Sequence, residues 1–232
     1  MIVRNATAAE RLAPIVEPMI LDAVWRICRD KIFTSSGDRL FNPYRDEDLT
    51  LDRPGAASIR RENLRRYLAT YAELPPVLLV AEAPGPWGCR FTGVPITSEA
   101  QLLNPEFPLS GASSSSAAEP HSEYSAAIFW RIMAPYFPRF LVWNAVPLHP
   151  FKSGEPMSIR TPTIGELIQF APSLRELTDV VSPRFVVAVG RRAELLLGRI
   201  GVECTYIRHP SQGGARLFED GIRSVMDRSR RF

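Results

Sequence analysis

The sequence predicts an α/β fold in three layers: a central four-stranded parallel sheet with helices on both faces. Three observations predict it. Four short runs, Val77–Val80, Phe140–Asn144, Phe185–Val189 and Cys204–Ile207, have the length and the β-branched or aromatic content of buried strands. Segments with apolar residues at helical spacing separate them, and strand–helix–strand alternation builds a parallel sheet through right-handed crossovers. Three of the runs pass directly into polar loops shaped by Pro and Gly: Ala81–Gly88, Ala145–Pro150 and Arg208–Gly214. Open α/β sheets hold their ligands in such loops, at the carboxyl ends of the strands.

The elements follow in order. Pro14 to Lys31 has Ile15, Met19, Ile20, Val24, Ile27 and Cys28 at helical spacing and reads as an amphipathic helix. Thr34 to Gly55 is a polar connection that Phe41–Tyr44 anchors. Ser58 to Tyr71 is a second helix, with Ser58 as N-cap, Glu62 and Arg66 as an i,i+4 pair, and Leu64, Leu68 and Tyr71 facing inward. Its Arg60, Arg61, Arg65 and Arg66 form a solvated basic face that also suits a phosphate backbone. Pro75-Pro76 fixes the entry to the first strand. Gly111 to Ala118 is a low-complexity, mobile loop. Glu123 to Tyr136 and Thr163 to Val181 are helices, the latter broken or kinked at Pro172. Arg191 to Ile200 is a short helix. A last helix opens at Gly213/Gly214 and runs to about Met226, before a fraying tail with Arg228, Arg230 and Arg231. No linker or repeat divides the chain, so one domain is expected over 1–232: a helical part over 1–75, a core over 76–226 and a basic tail over 227–232.

Composition excludes several classes. With 45% apolar and 23% charged residues the chain has an ordinary globular balance. No apolar run is long enough to span a bilayer, and the first residues have no apolar signal core, so a cytoplasmic protein without a membrane partner is expected. Cys28, Cys89 and Cys204 are odd in number and widely spaced, which reads as reduced thiols without a metal or cofactor. Lys31 and Lys152 are the only lysines among 28 basic residues. Arginine suits phosphate and base contacts, although a GC-rich genome produces the same bias.

The strand ends would bring Glu82, Asn144, His209 and Ser211 to one rim. His209 lies in the most constrained setting of the three histidines, between a strand and a Pro-Ser-Gln-Gly-Gly turn. A Ser–His hydrolase pair is rejected, because residues two apart on one loop seldom reach nucleophile–base geometry and no nucleophile elbow is present. His149 reads as structural.

Ala81-Glu-Ala-Pro-Gly85, Asn144-Ala-Val-Pro-Leu-His-Pro150 and Arg208-His-Pro-Ser-Gln-Gly-Gly214 together resemble the ordered motifs of the uracil-DNA glycosylase superfamily, over about Val77 to Phe218. The segment Gly88 to Thr97 is similar to branches whose first motif continues into Gly-x-Pro-aromatic. The resemblance implies a monomeric DNA-repair enzyme of that fold that acts on uracil-containing DNA, single or double stranded. It would flip the base into a pocket and hydrolyse its glycosidic bond without a cofactor. It implies catalytic roles for His209, Asn144 and Glu82, with Asn144 reading the uracil edge and His209 stabilising the departing base. A uracil pocket would be formed by Ala81, Ala83, Pro84, Gly85, Phe91, Ile96 and Asn144, and DNA contacts by Ser211, Gln212, Gly213, Gly214 and Arg216.

The chain departs from the best-known branch at informative places. Ala83 stands where that branch has a water-orienting Asp, leaving Glu82, Glu99 or Asn144 for that task. Gly85 replaces the Tyr that blocks thymine, so the C5 side of the pocket should be open unless Trp87 or Phe91 folds over it. Ile96 replaces the stacking Phe, and Gln212–Ala215, with Arg216 and Leu217 behind, replaces the wedge. Two rival functions follow: a protein that binds uracil or abasic DNA, or captures it covalently, without turnover; and a glycosylase for hypoxanthine, xanthine or mismatched thymine.

Overall fold

A computed structural model describes residues 19–230 of the chain. Six strands and eight α-helices are placed among them: α1 Met19–Ile27, β1 Leu40–Phe41, α2 Ala56–Ala69, β2 Val77–Ala81, α3 Cys89–Thr92, α4 Glu99–Leu102, α5 Tyr124–Met133, β3 Phe140–Asn144, β4 His149–Pro150, α6 Ile164–Val181, β5 Phe185–Val189, α7 Arg191–Arg199, β6 Thr205–Ile207 and α8 Ala215–Arg230. A π-helical turn over Cys28–Ile32 continues α1, and a 3-10 turn over Ala134–Tyr136 follows α5.

The main sheet is parallel, in the order β3-β2-β5-β6. The four apolar runs are its strands, and β2 and β3 are buried along their whole length, as strands covered on both faces demand. From β2 the chain crosses to β3 on one side, then returns past β2 to β5 and continues to β6. This reversal puts α6 and α7 on the face opposite α5. Accordingly α1 packs with α2 and α6, α6 with α7, and α5 with α8. The buried apolar side chains form one continuous cluster around the sheet. The crossovers diverge between β2 and β5, a topological switch point, and a crevice opens at their carboxyl ends.

Several local expectations change. Residues 14–18 of the first expected helix lie outside the described residues, which begin at Met19. The N-cap of α2 is Gly55 at φ 78°, so Ser58 lies one turn inside the helix. The Phe41–Tyr44 anchor is well made: Phe41 is part of a small antiparallel pair with β4, and the buried Tyr44 hydroxyl donates to Gly93 O at 2.8 Å. Pro172 sits within an unbroken α6, on the exposed side, where the carbonyl it leaves unpaired can meet water. Thr163 caps that helix in a reciprocal box with Glu166. α8 continues past Met226 to Arg230, with Ser229 buried and Arg228 and Arg230 lying over the Phe185 and Tyr136 rings. Residues 231–232 lie outside the described residues.

Two corrections concern charge. Arg60 does not share the solvated face of α2. It is fully buried and pairs with Asp52 at 2.9 Å, while Arg90 takes the other Asp52 oxygen at 2.5 Å. Both guanidiniums lie over Phe41, and Arg90 also over Phe91, each Arg90 distance being 4.2 Å. The Gly111–Ala118 loop is not free. Ser114 and Ser115 are buried, Asp52 bridges to Ser115, and Glu99 binds the loop through several donors.

Candidate active site

The strand register sets the site. Ala81 and Asn144 are paired at the ends of β2 and β3, and the next residues keep the strands together: Ala145 N–H donates to Ala81 O at 2.7 Å and Val146 N–H to Glu82 O at 3.0 Å. Asn144 is therefore held rigidly beside the first loop. Its side chain is buried, with Nδ2 3.6 Å from Cys89 Sγ, a weak contact, and Oδ1 without any partner. Glu82 is placed by the opposite side of β2. Its Oε1 accepts the Arg192 N–H at the start of α7 at 3.1 Å, and a Cβ on Gly190 would stand 2.5 Å from it. The carboxylate thus lies across the switch point, at a helix N-terminus that favours negative charge.

His209 faces Glu82 from the end of β6. Nδ1 accepts the backbone N–H of Ser211 at 3.2 Å and lies 2.8 Å from the Ser211 hydroxyl. A backbone N–H can only donate, so Nδ1 is the acceptor and the ring proton sits on Nε2. Burial penalises the imidazolium and holds the pKa below its ordinary value. The result is a neutral ring with one N–H to offer. Ser211 and His209 touch, although a Ser–His hydrolase pair was not expected from two residues so close on one loop. The tight turn closes this contact, and the same turn's backbone N–H occupies Nδ1, so the contact orients the ring.

Glu82, Ala83, His209, Ser211 and Gln212 line one cleft of about 550 Å³ with Gly190, Tyr206 and the 159–162 segment. Asn144, Ala81, Pro84, Gly85, Phe91 and Ile96 do not line that cleft. Ala81, Pro84, Phe91, Ile96 and Asn144 are buried, and Gly85 is half-buried. Pro84 is fixed by His149, whose Nδ1 lies 2.9 Å from Pro84 O and whose Nε2 lies 3.2 Å from Pro156 O. His149 is fully buried, and that burial lowers its pKa. It ties the first loop to the segment that supplies Arg160 to the cleft. Ile96 is buried at φ 45°, a conformation costly for a β-branched residue, and its carbonyl accepts the Trp130 indole N–H at 2.9 Å. Gln212 and Gly213 turn at φ 52° and 77° on the exposed rim, Gly214 leaves no room for a Cβ against His209 O, and Arg216 is exposed beside them.

Phe91 is fully buried against His121 at 4.3 Å, and Trp87 stacks on Phe91. The Glu123 carboxyl, at the N-terminus of α5, rests on the first loop: a Cβ on Gly85 would stand 2.6 Å from its Cδ and closer still to Oε2, and one on Gly88 would stand 2.6 Å from Oε2. Oε1 accepts the Ser125 hydroxyl at 2.6 Å, while Oε2 is buried without a partner. Burial raises the pKa of this carboxyl. Sequence reading took Glu123 only as a helix start; the two glycines of Pro-Gly-Pro-Trp-Gly were the signal that something approaches the backbone closely. Glu99, by contrast, is spent on the 113–121 segment and does not reach the cleft. Among the described residues no group of His, Cys, Asp and Glu could hold a metal ion.

Comparison with known proteins accords with this arrangement. No curated protein matches the chain. Among solved structures, the crystal structure of wild-type Pedobacter heparinus SMUG2 is similar at a TM-score of 0.64 and 15% identity, covering 92% of this chain and 99% of that one. The family model for the uracil DNA glycosylase superfamily matches residues 69–220, from the end of α2 into α8 and so through every strand of the main sheet, and the chain belongs to that superfamily of DNA glycosylases.

Proposed function

We propose that this protein excises uracil from DNA, leaving an abasic site, and that it does so as a monomer without a cofactor. The observation that carries this is Asn144: a rigid, buried side-chain amide at the head of β3 whose Oδ1 has no partner. A buried polar atom left empty is costly, and a ligand that fills it recovers the cost. An amide that accepts through Oδ1 and donates through Nδ2 matches the N3–H and O4 edge of uracil, whereas cytosine presents the inverse pattern.

The remaining groups support hydrolysis. As the C1′–N1 bond breaks, its electron pair stays on the base and negative charge grows at O2. The neutral His209 donates Nε2–H to that oxygen, an interaction that strengthens only as the charge develops. Glu82 has one oxygen fixed by Arg192 N–H, and its other oxygen orients a water toward C1′. The water oxygen bonds to C1′ and its surplus proton passes to the carboxylate. The Ser211–Gly214 turn and Arg216 hold the DNA backbone at the rim.

A duplex or single strand bearing one uracil, cut with alkali after incubation, tests this directly. His209→Ala should cost ~3–4 kcal/mol of barrier, or some hundredfold or more in rate, the loss expected of one preorganised donor. Asn144→Ala should cost at least as much. Full activity in both variants overturns the assignment. Ala83 contributes no carboxylate to the cleft, which favours a binder without turnover as the second reading; multiple turnover on excess substrate excludes it.

A further inference from the structure

We propose that His149 is a positioning residue whose protonation closes the cleft: as a neutral ring it ties one of two cleft-lining segments at a time, and as an imidazolium it ties both. The proposal rests on the cleft of Glu82 and His209 being the active site.

The contacts of the ring carry this. His149 is fully buried, and each ring nitrogen faces a backbone carbonyl, Nδ1 at 2.9 Å from Pro84 O and Nε2 at 3.2 Å from Pro156 O. A carbonyl oxygen only accepts. A neutral imidazole has one N–H, so it donates to one carbonyl and turns a lone pair toward the other. The imidazolium has two N–H groups and bonds both. Pro84 directly follows Glu82 and Ala83, and Pro156 stands just before Ile159, Arg160, Thr161 and Pro162; both segments line the cleft.

The second segment needs such a tie. Arg160 is anchored by Glu166 and by Phe151 O. Before it, the loop bonds to itself: Glu155 N–H to Lys152 O at 3.0 Å, Ser158 N–H to Glu155 O at 2.9 Å, and Lys152 N–H to Ser158 Oγ at 2.9 Å. His149 links this loop to the one that carries Glu82.

The surroundings make the proton costly but not prohibitive. Burial opposes the charge, the Pro84, Pro156 and Ser158 carbonyls favour it, and Arg90 on α3 opposes it, so the pKa lies below its ordinary value. Arg90 shares Asp52 with Arg60, the Phe151 ring stacks alongside, Arg160 is paired with Glu166, and Lys152 and Glu155 are exposed. The neutral ring therefore prevails near neutrality, with one tie open, and taking up a proton makes the second. Linkage requires the converse: DNA that holds the two segments together raises the His149 pKa.

The experiment compares wild type, His149→Asn and His149→Gln on a duplex bearing one uracil. The Asn amide reaches the place of Nδ1 and keeps the bond to Pro84 O; the Gln amide reaches the place of Nε2 and keeps the bond to Pro156 O; neither titrates. His149→Gln frees the Glu82 loop and should lower kcat by up to ~100-fold, the cost of a displaced reacting group. His149→Asn should act mainly on KM, raising it ~3–10-fold, the worth of one hydrogen bond. Wild-type KM should fall as pH drops below about 6.5, and neither variant should show that fall. His209 titrates in all three proteins alike, so the difference between their profiles belongs to His149. Equal losses of kcat in both variants, with KM and the pH profile unchanged, would mean a packing role and overturn the inference.

Ring 15N NMR of wild type, alone and with a duplex carrying a tetrahydrofuran abasic analogue, reads the clamp without activity. Between about pH 5 and 8 both His149 nitrogens should become protonated on the acid side, the titration should move to higher pH with the duplex, and amide exchange at Ser158 should slow as the ring protonates. A wild type that excises nothing but shows the DNA-linked pKa rise removes the active-site reading and keeps the clamp. Uracil excision with a His149 titration that the duplex leaves unmoved does the reverse.

Discussion

Glu99 is fully buried and Glu123 is half-buried with one carboxyl oxygen out of solvent, and their surroundings are opposite. Glu99 accepts from five donors: the hydroxyls of Ser113 and Ser115 at 2.9 and 2.7 Å, and the backbone N–H groups of Ser114, Ser115 and His121 at 2.8, 2.9 and 3.2 Å. Burial pushes its pKa up, but these hydrogen bonds outweigh burial and hold the carboxyl below its ordinary value. Glu123 accepts one well-formed bond, from Ser125, and its Oε2 has no partner of good geometry. Burial pushes its pKa up, and the Gly88 and Trp87 N–H groups nearby offset that only in part. A carboxylate with its valences filled by its own chain is a structural pin. One with a single well-formed bond, resting against two glycines, is held mainly by packing. Asp52, shared between Arg60 and Arg90, belongs with Glu99.

The largest effect that would break this contrast is on stability. Glu99→Ala strands two buried backbone N–H groups and two hydroxyls, each worth ~1–3 kcal/mol when left unmade. A total loss of about 3 kcal/mol or more should appear in urea unfolding, with faster hydrogen exchange at Ser114 and Ser115. A loss below ~1 kcal/mol would mean that the serine loop is held by something else, because surface substitutions alone reach about half that.

A smaller and more specific effect tests the other carboxylate. Gly85→Ala drives a Cβ into the Glu123 carboxyl and should cost ~1–3 kcal/mol, as overpacking does. In a Glu123→Ala background the same change should cost much less, giving a coupling energy of ~1 kcal/mol or more in the double-mutant cycle. Additive losses would show that the carboxyl does not occupy the space above Gly85.

The contrast also explains what the sequence disclosed. All four strands and the placement of Asn144 at a strand end were legible, because β-branched and aromatic runs bounded by Pro and Gly have few alternative forms. The superfamily match over residues 69–220 spans those same strand ends. The buried ion pairs were not legible. Arg60 sits in an arginine-rich helical segment, and such a pattern ordinarily faces water; only the distant Asp52 and Phe41 make burial possible. Glu123 was hidden for the same reason: its partners Gly85 and Gly88 lie on another element, and a helix-start carboxylate has a sufficient local explanation. Ser58 and Pro172 misled in the opposite way, since a good local cap and a good local breaker were both overridden by how α2 and α6 pack.

The smallest expected effect is on the pH dependence of stability, where the two carboxylates should pull in opposite directions. Glu99 has a folded pKa below its unfolded value, so the stability it contributes is present above about pH 4.5 and is lost as pH falls through the folded value. Glu123 has a folded pKa above its unfolded value, so its contribution is complete below about pH 4.5 and is lost as pH rises through the folded value. Glu99→Gln should therefore flatten the acid side of the stability curve, and Glu123→Gln should remove a decline on the side just above pH 4.5. Neither slope can exceed ~1.4 kcal/mol per pH unit, the limit for one proton. Urea midpoints for wild type and both variants between about pH 3 and 8 measure this. Slopes of the same sign would mean that Glu123 is charged and satisfied in the folded protein, and the wall above Gly85 would then be no different in kind from the pin at Glu99.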